Sequence, residues 1–285
     1  MAYQGLGRYR EVLTARSADE KIRSMAQDGG TVTSLMCYAL ESGYIDGAVL
    51  TRKTDDEWLP GQFVATTRDE ILKSVKSVYA ISPSLYQLKE ATREMALEKI
   101  GYVGVPCQIE AVRKMQLYPF GARDIADKLA LVIGIFCYEN FFPSSLKAIV
   151  EGLGQESLED ATRIRCASGR FKTEGENGID IPLKQASYYS QDGDRICPDL
   201  VSEWADISVG AVGSEPGWNT VFLRTRKGTD FFKKAAGSGV LEIKKIDGFG
   251  LKVLEKLALD KKGRAKKNIE KRLSLGVFVT RDIYY

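Results

Sequence analysis

Histidine is absent from all 285 residues. That removes the side chain that most often moves protons near neutral pH, along with histidine-bound zinc and Ser-His-Asp or Cys-His catalysis, and speaks against ordinary hydrolase chemistry. Long apolar runs are also missing. No stretch reaches the roughly 18 uninterrupted apolar residues of a membrane span, and the longest candidate, Leu129 to Cys137, reads as a buried strand. The N-terminal Met1 to Arg10 carries arginines and glycines but no apolar centre, so no secretory leader and a cytoplasmic location are expected. Cysteines are few and odd in number, five in all. Reduced thiols, thiolate ligands or buried apolar thiols fit that count better than a disulfide framework.

What is present belongs to a globular chain. Hydrophobic residues make up 44% and charged residues 28%, near globular averages, and the length allows one large domain or two modest ones. The net charge of +3 conceals a basic run from Lys261 to Lys267, inside the stretch Lys252 to Arg272. It reads either as a solvated helix face or as contact with an acidic partner subunit. Nucleic acid is not expected, because no stacking aromatics accompany the run.

Periodicity predicts a first strand over Arg8 to Arg16, a capping box Ser17-Ala18-Asp19-Glu20 opening a helix to Ala26, and a helix over Thr31 to Glu41. Strands follow at Ile45 to Thr51 and Phe63 to Thr66, and Thr67-Arg68-Asp69-Glu70 is a second capping box. Helical spacing over Leu85 to Glu98, a strand from Ile100 to Val105, a helix to Gln116 and a strand from Leu129 to Cys137 complete an alternating first half. Beyond a helix ending near Gly152 come short strand-like runs at Ile164, Phe171 and Ile179 to Leu183. Strands over Ile207 to Val212 and Thr220 to Arg224, a helix over Lys227 to Ala236 and a charged final helix close the chain. The fold expected is mixed α/β, a central sheet with flanking helices, an irregular region and a C-terminal helix. Its soft boundary near residue 150 separates residues 1–150 from 151–285.

Three cysteines stand where chemistry gathers. Cys107 and Cys137 close apolar strands, and Cys197 lies in the irregular segment Gln191 to Pro198. Strand ends of an α/β sheet are ligand positions, and thiolates from separate segments can share one 4Fe-4S cluster, although no ferredoxin-type run is present. Cys37, inside an apolar helix, reads as core. Cys166 reads as a core or surface thiol, with a reserve role as ligand. Gln27-Asp28-Gly29-Gly30-Thr31 sets two glycines before a helix, which suits either a phosphate at the helix N-terminus or a plain turn. It matches neither the dinucleotide fingerprint nor a Walker loop. The loop Gly213 to Thr220 carries Trp218, an indole able to wall a planar ring or simply to pack.

Taken together, Ala26 to Gly30, Tyr79-Ala80-Ile81-Ser82-Pro83, Val105-Pro106-Cys107-Gln108, Phe136 to Phe141, Ala205 to Ser208 with Gly210, and Gly213-Ser214 through Trp218 to Val221 resemble the β-subunit family of coenzyme F420-reducing hydrogenases and related dehydrogenases. The resemblance implies bound FAD, one 4Fe-4S cluster and a site for the deazaflavin coenzyme F420 as substrate. It implies partnership with a large nickel-iron and a small iron-sulfur hydrogenase subunit in a higher-order hetero-oligomer. An N-terminal ferredoxin domain found in some relatives is not seen, which favours the hydrogenase subunit over a formate dehydrogenase one. By position, Cys107, Cys137 and Cys197 resemble cluster ligands. Gln27, Asp28, Gly29, Gly30, Thr31, Tyr79, Ser82, Pro83, Pro106, Gln108, Gly213, Ser214, Trp218 and Thr220 resemble the FAD pocket.

One departure stands out. Where the family pattern has Gly-Cys-x-x-Cys, this chain has Gly193-Asp194-Arg195-Ile196-Cys197. Asp194 is the preferred fourth ligand, an oxygen donor that would alter the potential, with Cys166 or water as alternatives. The implied route runs from cluster to FAD to a hydride on the coenzyme, with no residue acting as catalytic acid or base. Arg113, Lys114 and Arg224 are the candidates to hold the coenzyme's anionic tail. The rival readings are an assembly subunit that has lost its cluster, and a chain that reduces NAD or a ferredoxin instead.

Overall fold

A computed structural model describes residues 5–54, 59–118, 120–154, 157–175 and 178–279 of the chain; residues 1–4 of the polar N-terminal stretch therefore lie outside it. Eight strands make the main sheet: β1 (Glu11–Ser17), β2 (Gly47–Lys53), β3 (Pro60–Ala65), β4 (Ile100–Gly104), β5 (Leu129–Ile135), and, after a small unit, β9 (Ile207–Gly210), β10 (Asn219–Leu223) and β11 (Leu241–Lys244). The small unit is a three-stranded antiparallel sheet of β6 (Arg163–Ala167), β7 (Arg170–Glu174) and β8 (Asp180–Pro182).

The main sheet has the order β11-β1-β10-β9-β5-β4-β2-β3. Its centre is parallel, β9 with β5, β5 with β4 and β4 with β2, and antiparallel strands flank it on both sides. This explains the sequence of β4 and β5. Central parallel strands are covered on both faces and read as near-continuous apolar runs, and β4 is buried from end to end. One face packs on the Thr31–Glu41 and Arg226–Gly237 helices through Leu35, Met36, Phe231 and Phe232. The other packs on the Pro106–Leu117 helix through Ile109 and Val112. Each fully buried side chain of this size contributes about 1.5–3 kcal/mol.

Three sequence expectations shift in detail. The first helix is capped by Asp19, which accepts from Lys21 N at 2.9 Å, because Ser17 is taken up as the last residue of β1. The helical run from Leu85 widens into a π turn at Glu90–Glu94, and the one from Pro143 does the same at Ala148–Leu153. Strand β11, not expected from sequence, pairs with β1 as an edge. The Thr67 capping box forms as read. The main sheet draws strands from both sides of residue 150, and the small unit is the long connection between β5 and β9. That connection leaves β5 at its C-terminal end, places Cys166 and Leu183 over the cavity there, and crosses back to the opposite end of the sheet to enter β9, which runs parallel to β5. Among the described residues no helix is long and apolar enough to cross a membrane.

Candidate functional site

A cavity of about 310 Å³ opens where the parallel strands end. Its wall includes Leu50 and Thr51 of β2, Val103 and Gly104 of β4, Ile135 of β5 and Val209 of β9, with the residues that follow each of the last three. Parallel α/β sheets bind ligands at this edge because strand carboxyl ends and helix amino ends converge there. Most of the lining surface is apolar, as in small-molecule sites, and many polar side chains stand around it, among them Gln27, Asp28, Thr31, Ser82, Gln108 and Asn219.

The glycine loop forms one side. Gly30 adopts φ 71°, a left-handed conformation that costs glycine little and other residues more, and it turns the chain into the Thr31–Glu41 helix. The amide of Thr31 donates to Asn219 Oδ1 at 3.3 Å, and both residues line the cavity. The small sheet clamps this loop from outside. Arg165 donates to the Gln27 carbonyl at 3.0 Å and pairs with Asp28 at 3.3 Å, and Arg163 donates to the Ala26 carbonyl at 3.2 Å. Burial raises the Asp28 carboxyl above its usual range, partly offset by Arg165. Gln27 Nε2 is spent on the Ile164 carbonyl at 3.0 Å, while its buried Oε1 has no partner. An orphaned acceptor in a cavity wall is a place for a ligand's N–H or O–H.

Opposite it, Gln108 bridges two segments. Its Oε1 accepts from Val105 N at 3.0 Å and its Nε2 donates to the Ser82 carbonyl at 2.6 Å. Ser82 Oγ in turn lies 3.0 Å from Thr51 Oγ1. Tyr79, whose hydroxyl takes the Cys166 amide at 3.4 Å, has its phenol raised by burial. Thus Gln27, Asp28, Gly30, Thr31, Tyr79, Ser82 and Gln108 share one cavity, together with Cys137 and Cys166.

The second glycine loop lies apart. Trp218 is not in the cavity wall; Arg16 lies over its ring at 4.5 Å and Lys244 at 3.8 Å. Gly213 packs against the Gly250 backbone, and Ser214 and Thr220 share a hydroxyl contact at 2.7 Å. Gly29 is buried behind Asn219, Pro106 is the buried first residue of its helix, and Pro83 is exposed. Only Asn219 links this loop to the cavity.

The cysteines behave as two groups. Cys137 lies two residues beyond β5, Cys107 in the first turn of the Pro106–Leu117 helix rather than at a strand end, and Cys197 just after the 3-10 turn Asp192–Ile196. Burial drives the Cys137 thiol well up. Lys261 opposes that rise, while Asp194, Cys107 and Cys197 add to it, so the other three candidate ligands lie near enough to act on Cys137. Asp194, 4% exposed, accepts from Asn140 N at 2.6 Å, and burial pushes its carboxyl up to about 6. Among the described residues no three Cys, Asp or Glu groups stand close enough for a single metal ion. A four-iron cube takes donors around its outside, so its ligands need not meet at one point. Cys37 is in the core, as read. Cys166 belongs to β6 and faces the cavity; its thiol is raised to about 12 by burial, and it is not among the groups acting on Cys137.

The cations expected to hold an anionic tail do other work. Arg224, 8% exposed, donates to the carbonyls of Leu6, Arg8 and Val201, each at 3.0 Å. Arg113 pairs with the buried Asp206 at 3.0 Å, and Lys114 with Glu110 at 2.7 Å. Backbone carbonyls and carboxylates of the chain itself captured them. Lys76, exposed and at φ 86°, is the cation that lines the cavity among the described residues. The basic run also differs from a solvated face: Lys261 is buried, Lys262 pairs with Glu203 at 2.6 Å and Arg264 with Glu139 at 2.6 Å.

Comparison with known proteins finds a family and a solved fold like this one. Residues 12–89 match the family model described as coenzyme F420 hydrogenase/dehydrogenase, beta subunit N-term, and residues 97–248 match its C-terminal counterpart. The chain is 46% identical over 276 residues to the coenzyme F420 hydrogenase subunit beta of Methanosarcina barkeri, covering 95% of each. It is 42% identical to the protein of that name from Methanothermobacter thermautotrophicus, covering 95% of this chain and 98% of the relative. A solved chain of the F420-reducing [NiFe] hydrogenase complex from Methanosarcina barkeri superposes with a TM-score of 0.93 at 43% identity, covering 97% of both chains.

Proposed function

The chain belongs to the coenzyme F420 hydrogenase/dehydrogenase β-subunit family, and from that premise we propose that it reduces coenzyme F420 using FAD and a 4Fe-4S cluster. The partners we propose are the large nickel-iron and small iron-sulfur subunits of a hydrogenase, since the relatives above are named hydrogenase subunits. The observation that carries the reading is Cys137. It lines the cavity at the strand ends and is coupled by charge to Cys107, Cys197 and Asp194, so an electron site and a ring site would share that residue.

The residues present fit both groups. Three thiols and a desolvated carboxylate are a cluster's donor set, with Lys261 and Arg264 close enough to offset its negative charge. The unpartnered Gln27 Oε1 and the apolar walls suit a flavin ring. When bound, the cluster supplies single electrons and the flavin the one-to-two electron conversion that a hydride acceptor requires. Gln27, Asp28, Gly30, Thr31, Tyr79, Ser82 and Gln108 would hold and orient the flavin at the cavity. Gly29 and Pro106 would set the backbone behind it, with Pro83, Gly213, Ser214, Trp218 and Thr220 supporting the pocket from further out. The chain's residues orient the rings and exclude water, and no histidine is needed to move a proton.

The test is a chain purified without oxygen. Flavin absorption, about four irons per chain and dye-driven reduction of coenzyme F420 without hydrogen are expected, with slower reduction of NAD or a ferredoxin. A chain with neither flavin nor iron sinks the proposal. Asp194→Ala is expected to lose iron on desalting while keeping flavin; undiminished iron would remove Asp194 from the ligand set. Lys76 replaces Arg113, Lys114 and Arg224 as the residue for the coenzyme's anionic tail. Because Lys76 is exposed, its charge is worth at most about 1 kcal/mol. Lys76→Gln should raise KM for the coenzyme by up to about fivefold with kcat little changed, and an unaltered KM would exclude it.

A further inference from the structure

Resting on the reading above, we infer that Lys261 is a positioning residue for the iron-sulfur site, a buried positive charge that fixes the Cys137 backbone and raises the cluster's potential. Lys261 sits within the Gly248–Ser274 helix and is 1% exposed. Its Nζ donates to the carbonyl of Cys137 at 2.5 Å and to that of Asp199 at 2.9 Å. One bond thus holds a proposed ligand's own backbone. The other holds the segment two residues after Cys197, so a single ammonium spans two of the ligand-bearing loops.

Burying an ammonium is costly unless negative charge meets it. Lys262 and Arg264, its neighbours on the helix, pair with Glu203 and Glu139, whereas both bonds of Lys261 go to backbone carbonyls. The helix offers no reason for the placement, because Leu254, Ala258, Ala265 and Ile269 make the rest of the same buried stripe. The buried carboxylates of Asp194 and Asp199 lie within reach of this ammonium, and an anionic group held by Cys107, Cys137, Cys197 and Asp194 would add to the negative charge that offsets its burial. Reduction adds an electron to such a group, and a nearby fixed cation makes that step easier; cluster potentials respond to local charge and hydrogen bonding in this way.

Two substitutions separate charge from hydrogen bonding. Lys261→Gln keeps N–H donors and removes the charge, and Lys261→Met removes both. In the anaerobic protein, an EPR-monitored redox titration of Lys261→Gln is expected to show the reduced-to-oxidised ratio at fixed poise lowered on the order of tenfold, about 59 mV for one electron. Iron content should be near that of the parent chain. Lys261→Met should show the same shift with less iron retained. An unchanged midpoint in iron-replete Lys261→Gln overturns the inference alone, as does failure of both variants to give folded, flavin-binding chain, which would assign Lys261 to folding. A parent chain without iron overturns the inference together with the reading beneath it.

Discussion

Cys137→Ser is expected to leave the purified chain nearly free of iron, with dye-driven coenzyme reduction lowered by more than the roughly 100-fold that outer-shell changes around a metal can cost. Flavin absorption should persist. The expectation follows from position: Cys137 follows the central strand β5, lines the cavity, and is the residue on which Asp194, Cys107 and Cys197 all act. A serine there keeps the shape and loses the soft thiolate that iron prefers. Cys37→Ala is the control, because Cys37 packs against the sheet among Leu35, Met36 and Ala39, and it should keep its iron. Cys166→Ala then decides between the fourth-ligand candidates. Retained iron favours Asp194, and iron lost to the same degree as in Cys137→Ser would favour Cys166. Full iron in Cys137→Ser would end the cluster proposal.

The sequence made the central strands legible because parallel strands buried on both faces leave apolar runs, as in Ile100 to Gly104 and Leu129 to Ile135. It made the cysteines legible as candidates because they follow such runs or sit in irregular chain. Other features depend on distance in space. Asn219 meets the Thr31 amide only because β10 lies beside β1 and the glycine loop, and its place in the Trp218 to Val221 segment does not show that contact. Arg113 and Arg224 serve the fold for the same reason: the Asp206 carboxylate and the carbonyls that hold them are far away in sequence. Lys261 did carry a signal. Leu254, Ala258, Lys261, Ala265 and Ile269 follow helical spacing, which places a lysine on an apolar stripe, but the surrounding cations point to a solvated face or an acidic partner instead.

The segment from Ala205 to Gly210, one of those that carry the family resemblance, has an architectural role that yields the second large effect. Asp206→Ala is expected to lower the unfolding free energy by about 3 kcal/mol, because it strands the buried Val132 amide and the mostly buried Arg113 guanidinium without their acceptor. The Asp206 side chain is 2% exposed and serves four groups. It accepts from Val132 N at 3.0 Å and Thr225 Oγ1 at 2.9 Å, and pairs with Arg113 at 3.0 Å and Lys227 at 3.2 Å. These bonds tie β5 to the start of β9 and to helices on both faces of the sheet. Four residues on, Gly210 lines the cavity, and a Cβ there would lie 2.0 Å from Phe136 Cδ2. The segment therefore anchors one end of β9 and leaves room for Phe136, next to Cys137, at the other. Denaturant unfolding of the Asp206→Ala and Asp206→Asn chains measures the effect. Asparagine should recover part of the loss by keeping an acceptor for the Val132 amide. A loss below about 1 kcal/mol in the alanine variant, the scale of exposed ion pairs, would show that β9 does not depend on this carboxylate.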